Sequence, residues 1–85
     1  MSHPIFSDWK DYDNLKKKGE DSNFFSCSET WEVAYLASKI KEHFPQLEIA
    51  QIIRAIEYCC ETASPPHPRK PFVIYVLSRM GIKIN

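Results

Sequence analysis

The sequence predicts a small all-α bundle of three core helices preceded by an extra N-terminal helix, and three observations carry that expectation. Apolar residues recur at spacings of three and four in separate stretches, which is the signature of helices with one buried face. Proline interrupts these stretches at Pro45 and again between Thr62 and Pro71, so the pattern divides into distinct elements. With 85 residues, 44% hydrophobic and 26% charged, the composition is that of one ordinary globular domain, and packing helix on helix is how such stripes are buried.

The first predicted helix spans about 8–18. Ser7 suits its cap, Asp8 and Asp11 its first turn, Lys16, Lys17 and Lys18 its last, and Gly19 the position beyond, each matching the helix dipole and cap preferences. Ile5, Trp9 and Tyr12 line up as a docking stripe. Residues 20–27 read as a polar connection anchored by Phe24 and Phe25.

Ser26-Cys27-Ser28-Glu29 fits a capping box for a second helix over 28–43, in which Val33, Leu36, Ala37, Ile40 and Phe44 form the stripe. Pro45 ends it. A third helix over 47–61 aligns Ile49, Ile52, Ile53, Ile56 and Cys60, and the short link makes the two helices neighbours. The core reading places a buried side chain at Ile53 and a small hydrophobe at Cys60.

Pro65, Pro66, Pro68 and Pro71 predict an extended, stiff connector. Beyond it, Phe72 to Leu77 is rich in strand formers, and with the Gly-Ile-Lys-Ile that follows it allows a hairpin, giving a winged-helix-like alternative. The helical reading is preferred, over 71–80. Val73, Val76, Leu77 and Met80 keep helical spacing, Pro71 suits a first turn, and Gly81 suits an end. The whole chain, 1–85, then forms one domain, with 28–85 as the core and 1–27 either packed on it or moving independently.

Several functional classes are disfavoured. Gly19 and Gly81 are the only glycines, so neither a phosphate loop nor a dinucleotide fingerprint can be assembled. A short chain commits most of its apolar residues to the core, leaving little for a deep catalytic pocket. Cys27, Cys59, Cys60, His43 and His67 offer soft ligands, but no short Cys-x(2–4)-Cys pair is present, so no metal site or cofactor is expected. No motif pairs a nucleophile with a base, and His3, His43 and His67 read as loop or helix-end residues, so an enzyme is not expected. Asp8, Asp11 and Asp13 read as first-turn and surface charges. An odd cysteine count with adjacent Cys59 and Cys60 argues against a stapled, secreted fold, and the longest apolar run, six residues from Phe72, is far short of the ~20 a membrane span needs. The expectation is a cytoplasmic protein with reduced thiols and no membrane association.

Phe44-Pro45 followed by Ile52, Ile53, Ala55 and Ile56 is similar to the ubiquitin-binding CUE family, three-helix domains in which a Met-Phe-Pro loop and a third-helix dileucine contact ubiquitin. His43 stands where that motif has Met, and Leu77 is followed by Ser78. Trp31 to Leu36, Ile53 to Ile56 and Ile74 to Leu77 resemble a group of small bacterial three-helix proteins of uncharacterised function, across residues 28–77. That resemblance implies a bacterial, cytoplasmic setting and a helical fold.

Two functions remain. The first is a non-enzymatic interaction domain that binds another protein or its own copy. Trp31, Tyr35 and Tyr58 fall beside the apolar stripes, and amphipathic aromatics of this kind anchor interfaces; the alternative is that they pack under the N-terminal helix. The second is weak nucleic-acid binding. Residues 64–85 carry Arg69, Lys70, Arg79 and Lys83 with no acid, whereas 1–32 carry four lysines and seven acids. A helix-turn-helix reader is disfavoured, because Arg54 is outnumbered by Glu48, Glu57 and Glu61 on the element that would enter the groove.

Overall fold

In the computed structural model, residues 4–7, 9–15 and 24–83 are described. A 3-10 turn, Pro4–Phe6, leads into α1 (Lys10–Leu15), β1 (Phe24–Phe25), α2 (Thr30–His43), α3 (Ile49–Thr62), β2 (His67–Pro68) and α4 (Arg69–Arg79). The protein is therefore mostly helical, with the three expected core helices in place. It is not strictly all-α. Antiparallel β1 and β2 pair Phe24 with Pro68 and Phe25 with His67, because Pro65, Pro66 and Pro68 keep the link between α3 and α4 extended and its backbone finds a partner in the segment ahead of α2. Arg69 to Pro71, expected to belong to that extended connector, form the first turn of α4 instead. Among the described residues, no helix is long and apolar enough to cross a membrane.

The segment Phe72 to Leu77 is helical throughout, and the hairpin alternative does not form. Val73, Val76 and Leu77 are fully buried, as the helical spacing requires. Gly81, at φ +83°, closes α4: its N–H donates to the Ser78 carbonyl and that of Ile82 to the Leu77 carbonyl, a Schellman end in which a left-handed residue satisfies the last carbonyls.

The N-terminal elements dock. Ile5, Trp9 and Tyr12 are buried together with α2 residues Leu36, Ala37 and Ile40, as their stripe predicts. Of the expected helix over 8–18, residues 10–15 are helical, while 8 and 16–18 lie outside the described residues. Ser7 does not cap α1. Its hydroxyl donates to the Pro4 carbonyl at 2.7 Å and closes the 3-10 turn instead.

Three further local expectations change. The capping box at Ser26 is replaced by a turn, and α2 begins at Thr30 with Glu29 as an N-cap that makes no side-chain cap bond. The anchoring of the connection falls to Phe25, which stacks on Phe72 at 4.9 Å, while Phe24 is exposed. On α3 the buried line is Ile52, Ala55, Ile56 and Cys59; Ile53 is half-buried and Ile49 exposed. The inward face is thus rotated from the Ile49-Ile53-Cys60 line, because α2 and α4 both press on α3 and set its orientation.

Cys60 is not a buried thiol. It forms a disulfide with Cys27, so the expectation of reduced thiols and an unstapled fold is corrected for these two residues. Cys59 remains free and buried, and burial pushes its thiol pKa up.

Candidate functional site

Four aromatic rings gather where the N-terminal elements meet α2. Tyr12 lies 5.3 Å from Trp31 and 5.5 Å from Tyr35, and Trp9 lies 5.3 Å from Tyr35. Two of the three aromatics singled out as partner anchors, Trp31 and Tyr35, are therefore half-buried against the N-terminal segment. The polar ends of this cluster are satisfied internally. Tyr12 donates its hydroxyl proton to the buried Glu32 carboxylate at 2.5 Å, and the Ser26 N–H donates to the same oxygen at 2.9 Å. Burial first, and this carboxylate second, push the Tyr12 phenol pKa far up.

Arg69 belongs to the same cluster. It pairs with Asp13 at 3.0 Å and sits over the rings of Trp9 and Tyr12, at 4.8 and 5.4 Å from their centroids. Its neighbour Lys70 lies 5.4 Å from the Phe6 ring. Arg79 is at the far end of α4, about 15 Å away by helical rise, and Lys83 follows it. The four basic residues thus form two pairs at opposite ends of a helix, and one pair helps to hold the N-terminal elements in place.

Tyr58 behaves differently from Trp31 and Tyr35. It projects from α3 with 42% exposure, and the Arg79 guanidinium covers its ring at 4.1 Å. Beside it is Tyr75 of α4, 39% exposed. Thr62 gives its hydroxyl proton to the Tyr58 carbonyl at 3.0 Å, so the Tyr75 hydroxyl donates to Thr62 Oγ1 at 2.9 Å. Helices α3 and α4 are locked edge to edge by this chain, and both tyrosine rings are held on the surface. The adjoining groove, about 460 Å³, is lined by Gln51, Arg54, Ala55, Tyr58, Arg79 and Met80. Two arginines and no acid line it.

A second groove of about 460 Å³ lies on the other side of α3. Cys27, Thr30, Val33, Glu57, Cys60 and Glu61 line it, so its charge is acidic and the disulfide forms part of its wall. His67 backs the disulfide. It is a buried residue, not the solvated loop histidine expected from its place in the proline connector. Its Nε2 donates to the Ala63 carbonyl at 2.9 Å, and Nδ1 lies 3.7 Å from Cys27 Sγ. Of the candidate soft ligands, the fold brings together Cys27, Cys60 and His67; Cys59 stays in the core and His43 in the last turn of α2. Among the described residues, no group of three His, Cys, Asp or Glu is arranged to hold a metal ion.

Spacing in the sequence did not reveal the Cys27, Cys60 and His67 cluster, because its members come from three elements. The odd cysteine count was the available signal: three cysteines are consistent with one pair and one buried thiol. Tyr75 was missed because it sits in a strongly apolar run, where its outward position depends on the face α4 turns to α3.

No protein-family model, curated protein or solved structure matches the chain. The functional reading therefore rests on the two grooves flanking α3.

Proposed function

We propose that this protein is a non-enzymatic interaction domain whose α3–α4 face binds an acidic segment of another protein. The observation that carries the reading is a groove lined by exposed Tyr58 together with Arg54 and Arg79, with exposed Tyr75 held next to it through Thr62. Tyrosine and arginine are the side chains most often found at the energetic centre of interfaces. A guanidinium whose Cζ lies over a ring still has N–H donors at its edge, two of which a carboxylate can bridge. The rings are already held by Thr62 and Arg79, so little side-chain freedom is lost on binding.

Trp31 and Tyr35 then act as supports, since their surfaces are largely used against Trp9 and Tyr12. Self-association is a variant of the same reading, because residues 1–32 of a second copy carry five acids besides the buried Glu32 and the Arg69-paired Asp13. A cytoplasmic setting also fits, provided that the Cys27–Cys60 bond is transient, as most cytosolic disulfides are.

The test is a fluorescence-anisotropy screen of acidic peptides, each carrying one aromatic or leucine anchor, with a single-stranded oligonucleotide of equal charge in parallel. Saturable binding to a subset of peptides is expected. Tyr58→Ala and Arg79→Ala should each weaken it by about tenfold or more, the behaviour of central interface residues. Light scattering distinguishes a second copy as the occupant. Preferred binding of the oligonucleotide, or peptide binding indifferent to both substitutions, overturns the proposal.

A further inference from the structure

The Cys27–Cys60 disulfide sits in an environment with more chemistry than a staple requires. His67 is held by three contacts: the ladder to Phe25, the Nε2 bond to the Ala63 carbonyl, and its ring 5.0 Å from that of Phe72. A carbonyl only accepts, so Nε2 carries a proton, and Nδ1 is the ring atom that faces Cys27 Sγ, 3.7 Å away. A disulfide sulfur has no proton to give. The contact becomes a full S–H···N hydrogen bond, or a thiolate–imidazolium pair, only when Cys27 is reduced.

Both sulfurs line the acidic groove, but Cys60 shares α3 with Glu57, one turn before it, and Glu61, next to it, and those negative charges disfavour a thiolate at Cys60. Glu29, two residues beyond Cys27, is a third carboxylate of the region, whereas Thr30 and Val33 of α2 carry no charge. The groove gives a small molecule access to the bond.

We propose that this disulfide is a thiol-exchange site, opened by attack of a small neutral or cationic thiol on Cys60, with Cys27 released as the thiolate beside His67. A dithiol shows the balance. Its first thiolate attacks Cys60 Sγ, forming a mixed disulfide, and the electron pair of the S–S bond leaves on Cys27 Sγ. The proton lost by the attacking thiol passes through water to the Cys27–His67 pair. The second thiolate of the reagent then attacks the reagent sulfur of the mixed disulfide, and Cys60 leaves and is protonated from water. In sum, the dithiol gives up two electrons and two protons and becomes a cyclic disulfide, while Cys27 and Cys60 become thiols. Lower-pKa thiols leave faster, which directs attack to Cys60. Anionic thiols are repelled by Glu57 and Glu61.

Two measurements on the intact protein test this. After reduction, the labelling of Cys27 and Cys60 by iodoacetamide, an uncharged reagent, is followed against pH by mass spectrometry. The half-labelling pH of Cys27 should lie at least about one unit below that of Cys60, and His67→Gln should narrow the gap, leaving the part due to Glu57 and Glu61. The opening rate of the oxidised protein is then measured with cationic cysteamine and with anionic glutathione, each relative to an unstructured peptide disulfide. Cysteamine should gain about tenfold over glutathione, and Glu57→Gln with Glu61→Gln should abolish that preference. Coincident labelling of Cys27 and Cys60 in the unsubstituted protein overturns the proposal even if His67→Gln does not fold. So does a gap left unchanged by His67→Gln in the folded state, or a reagent preference no different from that of the peptide.

Discussion

The carboxylate of Glu32 is fully buried, yet it accepts hydrogen bonds from Tyr12 and from the Ser26 backbone. A buried polar group keeps its place only while its partners remain, and removing one partner costs about 1–3 kcal/mol. Tyr12→Phe retains the ring packing against Trp9, Trp31 and Tyr35 but takes one donor from Glu32, so urea unfolding should show a loss of about 1–3 kcal/mol. The phenol also sets a pH limit. In the folded protein Tyr12 keeps its proton past the ordinary value of 10.0, whereas the unfolded chain releases it there. Its contribution is therefore intact below pH 10.0 and is lost as the pH rises above it. Stability measured across that range should fall more steeply for the unsubstituted protein than for Tyr12→Phe. None of this was legible from local pattern, since Glu32 is 20 residues from Tyr12 and looks like an ordinary first-turn acid.

Helical periodicity showed that α2, α3 and α4 exist and roughly where each one ends. What periodicity leaves open is the direction each helix faces, because an apolar stripe wider than the contact admits several rotations. On α3 the line through Ile52 and Ile56 faces the core, while Ile49 lies 46% exposed. Ile56→Ala should therefore cost about 2–5 kcal/mol, the usual cost of a cavity at a fully buried site, and Ile49→Ala less than about 1 kcal/mol; equal effects in urea titrations would contradict this orientation. The end of α4 was readable because Gly81 has a local reason to be there. Its φ of +83° penalises any side chain, although nothing lies within 4 Å of where a Cβ would be. Gly81→Ala should thus lower stability by about 1 kcal/mol through the backbone alone, with Gly81→Asn costing less.

Taken together, the helices place α3 between two unlike grooves, a basic one lined by Tyr58 and an acidic one containing the disulfide. The sequence shows the charge segregation along the chain but not this division, which arises because one groove takes Arg79 from α4 beside Arg54 while the other is lined by Glu57 and Glu61. The disulfide joins cysteines 33 residues apart, tying the turn ahead of α2 to the last turn of α3. Closing a loop of that length restricts the unfolded chain, so reduction should lower stability by about 2–4 kcal/mol, with far-UV circular dichroism still helical at low denaturant. Cys59 should resist alkylation until the protein unfolds, because it is buried and free. The interaction face is tested most directly by NMR. A peptide selected in the acidic screen is titrated into isotope-labelled protein, and backbone shifts are mapped onto the fold. Changes centred on Gln51, Arg54, Tyr58, Tyr75 and Arg79 are expected; changes confined to Arg69, Lys70 and the N-terminal aromatics, or to the acidic groove, would contradict the assignment of the α3–α4 face.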